Sequence, residues 1–272
     1  MRILRRRIRN TVLLVIAVAL TWYAFKIVAL SLQVQQYYSG WLVAGLIAFL
    51  LLFFVKKKLS TLPLGRNASW AQWHYYCGLF LIAAFAIHVE FSVPDGYVER
   101  ILAGLLVIVV MVGIAGTVIN RLFARRLAFL SEEIIYERIP DHLLSLRERL
   151  EAELSKTVEE SKSTTLSNYY TGNLARYFSG NRDRMSHIFG SRRPHLERLN
   201  DLELQMRYLN QREAAFAMTL ADYLEQKNTL DTHHALQGAL KFWGVLHAPV
   251  GLVLLFMVFV HIVLVYAFRG SA

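Results

Sequence analysis

Apolar and polar residues alternate along this chain in long blocks. Five stretches, at 11–32, 41–55, 70–91, 101–123 and 242–268, are dominated by Leu, Val, Ile, Ala and Phe. Several are unbroken over about 18 residues or more, close to the ~20 that a helix needs to cross a bilayer core. Short turn-forming segments separate the first four, such as Pro94-Asp95-Gly96. Proline presets φ, Asp bonds its own backbone and glycine tolerates φ > 0, so this triplet predicts a reversal.

The long segment between the fourth and fifth stretches is different. From 131 to 160 it is charged, with Leu143, Leu146, Leu150, Leu154 and Val158 at helical spacing, and Pro140 and Asp141 suit a helix start. From 161 to 194 it is rich in Ser, Thr, Asn and Gly and reads as loop. From 195 to 226 helical spacing returns through Leu199, Leu202, Met206, Leu209, Phe216 and Leu220. The expectation is an all-α membrane protein of five transmembrane helices, with a helical cytoplasmic insert between helices four and five. Its parts are transmembrane helices one to four (1–124), a helical hairpin with an irregular tip (125–240) and transmembrane helix five (241–272). The basic start followed by an apolar run predicts a retained helix rather than a cleaved leader.

Charge placement orients this scheme. The formal net charge is +10, with Arg2, Arg5, Arg6, Arg7 and Arg9 before the first stretch and Lys56, Lys57 and Lys58 after the second. Arg121, Arg125 and Arg126 close the fourth, whereas residues 33–39 carry no charge and 90–100 carry Glu90, Asp95 and Glu99 against Arg100. Basic loops stay in the cytoplasm. The N-terminus is therefore expected inside and the C-terminus in the periplasm of a bacterial inner membrane. The third and fifth stretches then run in the same direction.

That orientation aligns the histidines. His74 and His88 lie fourteen residues apart in the third stretch, and His247 and His261 repeat the spacing in the fifth. Fourteen residues are roughly four turns and ~21 Å of rise, so each pair shares a helix face at two depths. Ionisable residues inside membrane spans are rare and usually functional. Facing imidazoles at two levels predict two bis-histidine haem sites, His74 with His247 and His88 with His261. Zinc or copper would want further ligands at the same level, which the spans do not offer. The single cysteine, Cys77, excludes an intrachain disulfide, an iron–sulfur ligand set and covalent haem attachment.

Other residues are candidates for the surroundings of these sites. Gly78 and Gly251 each follow a proposed ligand by four residues and would leave room for a macrocycle edge or for close helix packing. Gly113, Ala115 and Gly116 could do likewise. Cofactor carboxylates need basic partners: Arg66, Arg121, Arg125 and Lys241 inside, Arg100 and Arg269 outside. His142, His187, His195, His233 and His234 are expected at the surface. Arginines and aromatics mingle between Tyr169 and Arg193, but 17 Lys/Arg against 17 Asp/Glu between 125 and 241 argue against nucleic acid. A docking surface for a protein partner or for membrane lipid is the expectation there.

The ladders Trp73-His74…Gly78…His88 and Leu246-His247…Gly251…His261 resemble the haem-binding helices of the di-haem membrane cytochrome b superfamily. That group comprises respiratory cytochrome b subunits and ferric-reductase-type transmembrane domains. The resemblance covers the five apolar stretches and is not specific to one member. It implies two haem b groups, electron transfer across the membrane, possible exchange with quinone, and partner redox subunits such as a c-type cytochrome or an iron–sulfur protein. The chain would then be an electron-transfer subunit of an oxidoreductase complex. A stand-alone ferric or metal reductase and a non-redox transporter or scaffold are the alternatives. Neither a flavin or nicotinamide fingerprint nor the quinone-site motif of cytochrome bc complexes is found.

Overall fold

The computed structural model describes residues 2–30, 34–58, 66–130, 134–180 and 182–268. All regular structure among them is helical: α1 (Arg2–Leu30), α2 (Gln35–Lys58), α3 (Asn67–His88), α4 (Tyr97–Leu127), α5 (Ile139–Ser161), α6 (Thr165–Tyr169), α7 (Ala175–Phe178), α8 (Arg184–Phe189), α9 (Arg193–Gln205) and α10 (Gln211–Ala267). A π-helical turn, Tyr170–Leu174, joins α6 to α7. Contacts divide the chain into two compact units, residues 1–115 with 244–272, and residues 116–243, and the boundaries fall within α4 and α10.

In the first unit α1, α2, α4 and α10 are long and apolar enough to cross a membrane. α1 buries none of its apolar stretch, and many large apolar side chains on the other three face outward as well. In water such surface would be a liability; lipid is as apolar as leucine and needs no protein cover. The 22-residue α3 falls outside this set, because Gln72, Trp73, His74, Tyr75 and Tyr76 dilute its first half. It is nevertheless the best-packed helix of the unit. Leu81 and Ala84 are buried against Val43 and Ile47 of α2, Leu106 of α4 and Leu254 of α10. Lys26, near the far end of α1, stands 4.9 Å from the Trp22 ring centroid.

The polar stretch at 33–39 is shorter as a loop than its composition predicts, since α2 begins at Gln35. Ser39, Val43 and Ile47 follow at intervals of four, and all three are buried. The stripe that α2 presents to its neighbours thus continues into the polar residues.

The second unit departs most from expectation. α5 starts at its proline as predicted, with Leu146, Leu150 and Leu154 buried. The stretch read as an irregular tip is helical, and its aromatic residues form the core: Tyr169, Tyr170, Tyr177 and Phe178 pack with the α5 leucines and with Phe216 and Leu220 of α10. These rings are unavailable for docking; Phe189, 83% exposed, is the exception. Nor does the helix predicted at 195–226 stand apart from the last span. α9 ends at Gln205, a 3-10 turn covers Met206–Tyr208, and α10 then runs unbroken for 57 residues. Its apolar part begins at Phe242.

α10 starts in a capping box. Asn210 Oδ1 accepts from the Glu213 amide at 2.9 Å, and Glu213 Oε2 accepts from the Asn210 amide at 3.3 Å. Reciprocal bonds of this kind satisfy amides that have no helical partner. The other Glu213 oxygen accepts from the Leu166 amide at 3.1 Å, fastening α6 to the same corner.

Three histidines expected at the surface are buried. His195 Nε2 lies 2.6 Å from a carboxylate oxygen of Glu225, His187 lies 3.0 Å from the Thr232 hydroxyl, and His233 is 2% exposed. His142 is exposed as expected. The unit also encloses an ion pair. Lys227 and Asp231 are 1% and 0% exposed, 2.6 Å apart, and Lys227 also donates to the Gly180 carbonyl at 3.0 Å. Burial pushes the Asp231 carboxyl up to about 6, against the pull of the ammonium.

Lys227→Met would leave Asp231 buried and unpaired, at a cost of ~3–5 kcal/mol. Adding Asp231→Leu should restore most of that loss, and Asn210→Ala alone should cost ~1 kcal/mol through the lost cap. Circular dichroism during unfolding of the detergent-solubilised chain measures all three.

Candidate functional site

α3 carries His74 near its start and His88 at its last turn, while α10 carries His247 and His261. The structure brings them together level by level. The imidazole centroids of His74 and His247 lie 6.2 Å apart, with ring planes at 81°. Two imidazoles binding one metal from opposite sides, each at ~2 Å through nitrogen, place their centroids roughly 6 Å apart. Phe53 of α2 flanks His74 with centroids 5.3 Å apart. A Cβ added at Gly113 of α4 would lie 3.4 Å from Cε1 of His247.

At the other level His88 and His261 line one cavity of about 490 Å³. Cofactor and ligand sites fall at ~300–1,000 Å³, mostly apolar with a few polar groups. Here Val43, Leu102, Leu106 and Leu254 supply apolar wall, and Gln36, Glu90 and Glu99 lie among the polar lining. Gly40 of α2 faces His88, where a Cβ would stand 3.2 Å from Cε1.

His88 Nδ1 lies 3.0 Å from the Ser39 hydroxyl, which also stands 3.0 Å from the Gln35 carbonyl. When that hydroxyl donates to Gln35 it accepts from the ring, and an Nδ1–H then leaves the Nε2 lone pair free. A histidine that binds metal through Nε2 is oriented in this way by a neighbour on its other nitrogen. On the facing helix, Glu99 Oε1 stands 3.5 Å from Nδ1 of His261. His88 closes α3, where Glu90 and Phe91 follow at φ of 53° and 57° and the Phe91 amide bonds back to the Ala86 carbonyl at 2.9 Å. Gln36 of α2 donates to Glu90 at 2.6 Å.

The other predicted residues fare unequally. A Cβ at Gly78 would meet nothing within 4 Å, so the space beside it is open. At Gly251 it would press on Leu51 of α2 at 3.2 Å, so that glycine serves helix packing. Arg66 is exposed at the N-cap of α3. Arg100 donates to the Pro94 carbonyl at 2.9 Å and so braces its own turn. Lys241 pairs with Glu137, Arg121 and Arg125 are exposed, and Arg269 lies outside the described residues. Among the described residues no group of three His, Cys, Asp or Glu side chains converges.

Sequence reading missed Ser39, Gly40 and Phe53. Ser39 had a signal in its four-residue spacing to Val43. Glu99 lies in the acidic 90–100 loop, on the side of the membrane expected for His88 and His261, and folding sets it beside His261. Pro249 was also passed over. It lies inside α10 two residues after His247 and removes the amide that would bond the Val245 carbonyl, a recognised cause of local bending. No protein-family model, curated protein or solved structure matches the chain.

Gly78→Ala should be neutral or stabilise α3 by ~0.5–1 kcal/mol, since alanine suits a helix better and the space is open. Gly40→Val should destabilise the chain by ~1–3 kcal/mol, because the added atoms press on the His88 ring. Thermal melts of the two variants in one detergent compare them directly.

Proposed function

We propose that this chain is a di-haem b-type cytochrome that carries electrons across a membrane, as a subunit of a larger oxidoreductase complex. The observation that carries the reading is the pair of matched levels: His74 and His247 at the spacing of two imidazoles about one metal, and His88 and His261 on one cavity. The donor set also fits. A protein zinc site wants three or four side-chain ligands. A haem brings four nitrogens of its own and takes two imidazoles. Ser39 beside Nδ1 of His88, placed to accept from an Nδ1–H and so leave Nε2 for iron, supports the same group.

In this reading α3 is the fifth span. Its 22 residues rise ~33 Å, enough to cross the hydrocarbon core. Its two histidines, unfavourable in bare lipid, are covered by α2 and α10 and by ligation. The N-terminus is cytoplasmic and the C-terminus periplasmic in a bacterial inner membrane, from the positive-inside pattern. The segment 125–240 is then a cytoplasmic insert.

Bound haem supplies reversible one-electron exchange at iron. The chain's own residues do the rest. His74 with His247 and His88 with His261 would hold the groups at two levels ~21 Å apart along the helices. A haem held by two imidazoles would serve electron transfer rather than oxygen chemistry. The apolar wall of Val43, Leu102, Leu106 and Leu254 keeps water from the outer level. Quinone in the bilayer and a c-type cytochrome or iron–sulfur protein are the proposed exchange partners. The resemblance to the cytochrome b superfamily supports them.

The purified chain is expected to show reduced b-type absorption bands and two haems per chain by pyridine haemochrome assay. His88→Ala should lower that ratio to one. A colourless chain that moves metal ions in vesicles would replace this reading with transport. Reduction of iron chelates by the chain alone would replace the subunit role with a stand-alone reductase.

A further inference from the structure

We propose that Ser39 and Glu99 are positioning residues of the outer histidine pair, holding the Nδ1 edges of His88 and His261 from α2 and α4, the two helices that contribute no imidazole. The inference rests on the haem reading above and goes beyond it, because it assigns work to side chains that would not touch iron.

Ser39 is 1% exposed, and its hydroxyl can donate to the Gln35 carbonyl 3.0 Å away. Its oxygen faces Nδ1 of His88 at 3.0 Å. With Nε2 given to iron, Nδ1 carries the proton and donates to that oxygen, and turning the imidazole would break the bond. Glu99 occupies the first turn of α4, where an acidic side chain also gains from the helix dipole. Its Oε1 stands 3.5 Å from Nδ1 of His261, which places a carboxylate beside that edge of the ring. Gly96 makes room for that rotamer, because a Cβ there would collide with the Glu99 carboxylate. Glu99 and Gly96 thus form one device, a carboxylate parked beside a ligand ring by a residue without a side chain.

The two partners act differently. A hydroxyl acceptor on His88 fixes orientation with little change of charge. A carboxylate beside His261 makes the imidazole a stronger donor and places negative charge near the iron, and both effects favour the ferric over the ferrous state. Glu99 therefore holds down the midpoint potential of the outer site.

Redox titration and low-temperature electron paramagnetic resonance of the full chain in detergent test this. Glu99→Gln should keep two haems and raise one midpoint potential while leaving the other in place. Gly96→Ala, which displaces the carboxylate without removing it, should raise the same one, and it decides the matter if Glu99→Gln loses a haem. Ser39→Ala should shift the ferric low-spin g values of one haem, and Ser39→Thr should restore them. Two haems with wild-type potentials and g values in Glu99→Gln, Gly96→Ala and Ser39→Ala would overturn the assignment and leave the haem reading standing. A wild-type chain without haem would instead overturn the reading beneath it.

Discussion

An imidazole inside an apolar helix bundle must find a partner, because an unsatisfied polar group in that surrounding costs several kcal/mol. This chain places four there, two on α3 and two on α10. Much of the first unit can be read as the consequence. α2 passes close to His88 because residue 40 is glycine, and α4 passes close to His247 because residue 113 is glycine. α3 is too polar at its start to count among the apolar helices, and it is also the helix with most protein around it. Its polarity is tolerable because neighbours cover it.

The same constraint separates the two levels. At the level of His74 and His247, aromatic and imidazole rings pack directly, with Phe53, His74 and His247 in succession. At the level of His88 and His261 a cavity intervenes, and hydroxyl and carboxylate groups approach the rings from helices that carry no imidazole. The start of α2 and the α3–α4 turn are bonded to each other beside that cavity, through Gln36 and Glu90. Two residues at positive φ end α3 just after His88. Strained backbone of this kind persists only where surrounding structure holds it, and it clusters at functional sites.

The second unit solves an ordinary problem of soluble proteins. Its core is assembled from α5 leucines, the short helices between them and α9, and the first half of α10. Two of its buried charged groups are partnered several times over. Glu213 receives two backbone amides and Lys227 meets both Asp231 and a carbonyl. Arg126 donates to the carbonyls of His187 and Ile188, which ties the end of α4 to α8 within the same unit.

The sequence by itself determined the helical class, the four strongly apolar helices and the repeated fourteen-residue spacing. Those properties are local: run length, apolar period and helix rise are settled within one element. It also carried the α5 stripe and the capping box at Asn210, although the box went unread. Only the tertiary structure decided which rings in the 161–194 stretch are core, since a Ser/Asn/Gly-rich background hides aromatics that become helical once they have leucines to pack on. It alone decided that Gly40 and Gly113, rather than Gly78, stand against the histidines, and that Glu99 reaches His261. A glycine's use depends on what approaches it, and a carboxylate's on what folding sets beside it. Neither is a property of the residue's neighbours in the chain.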